Sequence, residues 1–224
     1  MRPKIVVFAS GTKNGGPSPR QSGLRPREGG GSGFENLVGS KGLDADIVAV
    51  VSNHEHGGVR ERAERLGVPF IFFGPNSDYR KIVADSGAEW VALSGWFKFI
   101  SGLDPRKTFN IHPALLSQLG GRFGGKGMYG RHIHEAVKKA FDAGEIIESG
   151  FTMHFVTDEM DRGPAFFEHH VPLKVGMSAE EIGKAIQAAE HEWQPKITNM
   201  VVHGEIRWDG KDPKSLVIPE KISV

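Results

Sequence analysis

Cysteine is absent from the 224 residues, which excludes disulfides and thiolate chemistry. An excess of charge is missing as well: 28 Lys and Arg against 27 Asp and Glu leave +1 with the histidines neutral. No global field draws such a chain to nucleic acid or to a membrane. Long apolar runs are also lacking. Ile5-Val6-Val7-Phe8-Ala9, after Met1-Arg2-Pro3-Lys4, falls far short of a signal-peptide core or of the roughly 20 residues that span a bilayer. The cytoplasm is the default compartment. With 38% hydrophobic and 25% charged residues, the composition is that of a globular protein long enough to bury a sizeable core.

Residues 5–9, 46–51, 67–73 and 90–93 are apolar and rich in β-branched or aromatic side chains, as expected of strands buried on both faces of a parallel sheet. A charged helix is predicted at 58–66 and a second helix around 77–86. Strand and helix alternate, which predicts right-handed crossovers and an α/β fold: a doubly wound, mostly parallel sheet with helices on both faces, in a single domain over 1–224. Further on, His132 and His134 open a helix with Ile133, Ala136, Val137 and Ala140 on its buried face. Residues 166–173 read as a strand. Ser178-Ala179-Glu180-Glu181 is a capping box opening a long helix with the apolar stripe Ile182, Ile186, Ala189, Trp193 and Ile197. Residues 205–208 read as a short strand, followed by a polar tail from about 209.

Between these elements lies Asn110-Ile111-His112-Pro113. Residues 107–111 read as a strand that proline closes. Side chains two apart in a strand share a face, so Asn110 and His112 emerge side by side. An amide donor beside an imidazolium is a plausible oxyanion-stabilising pair suited to acyl transfer. Downstream, an apolar run from Met153 breaks into an acidic loop ending in Gly163-Pro164. Asp161 in that loop could hold the imidazolium and relay protons through water. Taken singly, each of the three residues is better explained by turn bonding or packing; their joint occurrence favours a site. His54-Glu55-His56 has no third ligand at a recognisable spacing, so no metal is expected.

The Asn-Ile-His-Pro-x-Leu-Leu run at 110–116, followed by His-Phe-Val-x-x-x-x-Asp-x-Gly-Pro at 154–164, resembles the folate-dependent formyltransferases. The likeness extends to Val51-Ser52-Asn53, Leu93-Ser94-Gly95-Trp96 and Glu190-His191-Glu192-Trp193-Gln194-Pro195. It implies a Rossmann-like fold and catalytic roles for Asn110, His112 and Asp161. The implied reaction moves a formyl group from 10-formyltetrahydrofolate, as co-substrate, to the amine of glycinamide ribonucleotide in de novo purine synthesis. The resemblance places substrate binding at Ser10, Gly11, Gly31, Ser32, Gly33, Gln187 and Glu190. It places folate binding at Leu93, Gly95, Trp96, Phe97 and Lys98, and at Val156, Thr157 and Asp158, with the Trp96 ring as pocket wall.

Two departures accompany the likeness. The phosphate-side loop of the family is split here by a Gly/Pro/Arg-rich insertion at about 12–30, and the family's loop asparagine falls on Gly33. The insertion reads either as a disordered loop or as a flap whose Lys13, Arg20, Arg25 and Arg27 meet an anionic substrate. Expected partners are small molecules, with neither nucleic acid nor membrane, and the protein is expected to be a monomer or homodimer. The basic C-terminal module of the initiator-tRNA enzymes and the N-terminal regulatory domain of the formyl-folate hydrolases are not expected. Alternatives are formyl transfer to a sugar nucleotide or to initiator tRNA, or a folate- or nucleotide-binding module without turnover.

Overall fold

Four consecutive apolar residues of the first strand, Ile5 to Phe8, are fully buried, and the elements of the N-terminal half are arranged around it. The computed structural model describes residues 1–11, 30–220 and 222. The expectations for Lys13, Arg20, Arg25 and Arg27 lie outside the described residues. The chain divides into two compact units, Met1–Gly102 and Leu103–Val224.

The first unit contains β1 (Lys4–Phe8), α1 (Ser32–Gly39), β2 (Asp46–Ser52), α2 (Gly58–Leu66), β3 (Phe70–Phe72), α3 (Tyr79–Ser86) and β4 (Trp90–Ser94). β1 pairs in parallel with β2 on one side and β4 on the other, and β2 pairs in parallel with β3. All five residues of β4 are buried, as its unbroken apolar run requires. Asp78 caps α3 by accepting a hydrogen bond from the Lys81 amide.

The second unit contains β5 (Thr108–His112), α4 (Arg131–Asp142), β6 (Glu148–Phe155), β7 (Ala165–Pro172) and α5 (Ala179–Val202). Here β5, β6 and β7 pair antiparallel. β6 and β7 are joined by residues 156–164, which contain no helix to carry a parallel crossover. In register, Asn110 stands opposite His154 and His112 opposite Thr152. α4 buries Ile133, Val137 and Ala140, while the expected Ala136 is only half-buried. The capping box of α5 is complete: the Ser178 hydroxyl accepts from the Glu181 amide while the Glu181 carboxylate accepts from the Ser178 amide. The strands of the first unit are parallel and those of the second antiparallel, and the alternation of strands with helices is of the predicted α/β class.

The chain after α5 departs from prediction. Residues 205–208 form no strand; Arg207 makes an isolated antiparallel bridge to Val217. The tail is anchored by Trp208, which is buried and donates from Nε1 to the Asp212 carbonyl at 2.8 Å.

Candidate active site

β5 carries Asn110 and His112 on one face, and β6 supplies His154 against the first of them. Asn110 Nδ2 lies 3.0 Å from His154 Nε2, His112 Nε2 lies 2.8 Å from the Phe123 carbonyl, and His154 Nδ1 lies 2.8 Å from the Phe155 carbonyl. Carbonyl oxygens only accept, so His112 Nε2 and His154 Nδ1 both carry protons. The remaining nitrogen of each ring faces one carboxylate. His112 Nδ1 is 3.7 Å from Asp161 Oδ2, and His154 Nε2 is 3.6 Å from Asp161 Oδ1.

The loop that delivers Asp161 is conformationally demanding. Asp161 adopts φ 53°, a left-handed conformation that side-chain-bearing residues other than Asn and Asp rarely occupy. Gly163 closes the loop so tightly that a Cβ there would sit 1.9 Å from the Phe155 carbonyl oxygen. The Gly125 amide donates to Asp161 Oδ2 at 2.9 Å. On the other side, the Leu116 amide donates to the Thr152 hydroxyl, and the amide and hydroxyl of Ser117 donate to Glu168, which fixes the turn after Pro113.

Burial sets the electrostatics of the histidines His112 and His134. It pushes the His112 imidazole below its ordinary value and outweighs the opposing pull of Asp161 and of the Phe123 carbonyl. At rest the ring is therefore neutral, not the imidazolium expected from sequence. Burial pushes the Asp161 carboxyl up, but His154, His112 and the Gly125 amide outweigh it and hold the group below the usual carboxylate range. His134 from α4 is lowered by burial and also by the proximity of His112. The site thus contains an ionised carboxylate and a neutral, single-proton imidazole beside an amide donor.

Asn110, His112 and Asp161 lie in one cluster, linked through His154. The contribution of His154 was not anticipated; its position opposite Asn110 becomes visible only once the register of β5 and β6 is known. On α5, Gln187 is exposed and Glu190, one turn on, is half-buried. Enough protein surrounds the Glu190 carboxyl for desolvation to push it up to about 8. Val156, Thr157 and Asp158 follow β6 in an open turn in which the Thr157 hydroxyl accepts from the Glu159 amide.

In the first unit the predicted residues divide by role. Ser10 is buried and its hydroxyl accepts the Phe97 amide at 2.9 Å, so this side chain ties two loops together. Gly11 and Gly30 touch, since a Cβ on Gly30 would lie 2.3 Å from the Gly11 Cα. Gly31 is the N-cap of α1, with no side-chain cap, and Ser32 and Gly33 form its first turn. Leu93 is buried in β4, and Gly95 turns through φ 74° while its carbonyl accepts from the Ser10 amide. The Trp96 ring packs edge-on against Phe8 and Phe73, and its Nε1 donates to the Tyr79 hydroxyl. Its aromatic surface is used in the core. Phe97 and Lys98 are exposed beside it.

Asn110, His112 and Asp161 thus belong to one polar cluster with no side-chain nucleophile among them. The formyl transferase family matches residues 31–198, and the chain belongs to that family. Its relatives include the chloroplastic phosphoribosylglycinamide formyltransferase of Arabidopsis thaliana, 30% identical over 92% of this chain and 73% of the relative. The phosphoribosylglycinamide formyltransferase of Bacillus subtilis (strain 168) is 28% identical over 89% of this chain and 94% of its own length. In fold, the chain is similar to the crystal structure of glycinamide ribonucleotide transformylase 1 from Symbiobacterium toebii. That similarity has a TM-score of 0.75 at 22% identity, covering 98% of this chain and 95% of that one.

Proposed function

We propose that the protein transfers the formyl group of 10-formyltetrahydrofolate to the primary amine of glycinamide ribonucleotide, and that Asn110, His112 and Asp161 carry out the chemistry. The convergence of these three side chains, in a chain whose relatives bear that activity in their names, supports this reading most directly. A single family match running through both units supports treating them as one formyltransferase domain.

The amine nitrogen attacks the formyl carbon, the carbonyl oxygen takes up negative charge, and the bond from carbon to the folate nitrogen then breaks. One proton must leave the attacking nitrogen and one must reach the departing nitrogen. Asn110 Nδ2 donates to the oxyanion. Neutral His112 accepts the amine proton at Nδ1, directly or through water, and returns it to the leaving nitrogen. While charged, the ring stabilises the oxyanion, and Asp161 stabilises the ring. Because neutral His112 is the competent form and burial lowers its pKa from the ordinary value, kcat/KM is expected to fall as pH drops through that lowered pKa.

The start of α1 suits the acceptor's phosphate, and Gln187 and Glu190 suit its ribose hydroxyls. The loop after β4 and the turn after β6 suit the folate. The expected partners are these small molecules, in the cytoplasm. An assay supplying the folate donor with glycinamide ribonucleotide, with an amino-sugar nucleotide or with no acceptor tests the proposal. Formylation of the ribonucleotide alone is the expected result, and preference for the sugar nucleotide refutes the acceptor assignment.

Glu190 supplies a prediction about stability. Its folded pKa of about 8 lies above the ordinary value of 4.5, so the folded protein retains a proton that the unfolded chain has lost between those values. Its contribution is complete below pH 4.5 and is lost as pH rises through about 8. Glu190→Gln is therefore expected to be more stable than wild type at pH 9, by on the order of 3–5 kcal/mol, with the gap closing by pH 5. Denaturant unfolding of the ligand-free proteins at both pH values measures it; parallel pH dependences show that the carboxyl is not desolvated. With Gln the acceptor KM should rise and the folate KM should hold.

A further inference from the structure

Arg62 lies on α2, and its side chain is only 7% exposed. Its Nη1 donates to the Gly30 carbonyl at 2.6 Å and its Nε donates to Glu35 Oε2 at 2.7 Å. Both partners belong to the start of α1: Gly30 precedes the N-cap, and Glu35 lies in the first turn. Arg65, one turn along α2, donates to the other Glu35 oxygen at 2.8 Å. Burial works against the Glu35 carboxylate, but Arg65 and Arg62 outweigh it and hold its pKa below the usual range. A buried guanidinium is costly to desolvate unless its donors are well used. Here a single planar fork holds a backbone carbonyl and a carboxylate together, which a lysine ammonium cannot reproduce.

We propose that Arg62 is a positioning residue for the acceptor's phosphate: it orients the helix start formed by Gly31, Ser32 and Gly33 and offsets the negative charge of Glu35 beside it. The inference deepens the proposed function and rests on its placement of the phosphate at α1. Three observations carry it. Gly31 and Gly33 have no side-chain donors, so anion binding there depends on the backbone pointing correctly, and the N-cap has no side-chain cap to set that direction. Gly30 and Gly31 both adopt positive φ, 80° and 82°, a backbone path that needs external support. A Cβ on Gly31 would meet Val59 Cγ2 at 3.0 Å, so this turn is pressed against α2, the helix that carries Arg62. Holding the Gly30 carbonyl on Arg62 turns its partial negative charge toward α2. Pairing Glu35 with two arginines removes an anion that would repel phosphate from the first turn.

The test compares full-length wild type with Arg62→Met and Arg62→Lys, using glycinamide ribonucleotide and its phosphate-free riboside as acceptors. Arg62→Met is expected to raise the KM for the ribonucleotide about tenfold, the loss of one charge-assisted contact, while kcat and the folate KM stay near wild type. With the riboside, variant and wild type should coincide. Arg62→Lys should fall between the two, and it answers the question if the Met variant does not fold. A second readout needs no turnover: inorganic phosphate should raise the melting temperature of wild type and should do so less for either variant. If wild type transfers no formyl group, the functional reading fails, but the phosphate arm still tests Arg62. Equal losses with ribonucleotide and riboside, or an undiminished phosphate effect in the variants, overturn the proposal.

Discussion

Replacing Asp161 with asparagine is expected to lower kcat by roughly 10²–10⁴-fold, the range for removing a group that governs proton transfer, with little change in melting temperature. Asparagine is the informative substitution for a conformational reason. Position 161 adopts φ 53°, which Asn tolerates, and its amide oxygen can still accept the Gly125 amide. What disappears is the charge facing His112 Nδ1 and His154 Nε2. Without it the protonated form of His112 loses its stabilising partner in a buried setting where desolvation already disfavours that form. Asp161→Ala adds backbone strain and should lose stability as well as activity. Steady-state kinetics with thermal melts separates these effects, and near wild-type turnover in Asp161→Asn would remove the carboxylate from the mechanism.

His112→Ala is expected to cost on the order of 10²–10³ in kcat, similar to the loss of one oxyanion stabiliser. Asn110→Ala should cost a comparable factor. Both side chains act on the same oxygen, so the double variant should lose less than the product of the two single losses. Fully multiplicative losses would indicate that the residues act at separate steps. KM values should move less than kcat, because neither side chain is assigned to ground-state binding. The cavity left by a fully buried ring adds a stability cost, so His112→Gln serves as the volume-matched control.

Much of this architecture follows from local pattern. The strands at residues 5–9 and 46–51 are legible because apolar, β-branched runs suit a sheet covered on both faces, and the Ser178 and Glu181 capping box marks the start of α5 within the residues themselves. Two of the central side chains are legible as neighbours for a geometric reason: alternation along β5 places Asn110 and His112 on one face whatever surrounds them. Less visible were features that arise only when distant segments meet. The antiparallel order of β5, β6 and β7 places His154 beside Asn110, and nothing near His154 in the chain encodes that. The contacts of Trp96 and Ser10 are of the same kind, the first set in an aromatic cluster and the second accepting the Phe97 amide. The neutral resting state of His112 and the raised pKa of Glu190 are consequences of burial, which residue identity alone does not reveal.

The central claim is that this chain moves a formyl group directly from folate to an amine through Asn110, His112 and Asp161. A single-turnover reaction with donor labelled with carbon-13 at the formyl group, followed by carbon NMR in wild type and Asp161→Asn, tests it most directly. The account predicts that the label appears in the formamide of the ribonucleotide in step with release of tetrahydrofolate, without a protein-bound signal, and that Asp161→Asn slows both events equally. Label on the protein, release as free formate, or equal rates in the two proteins would contradict it.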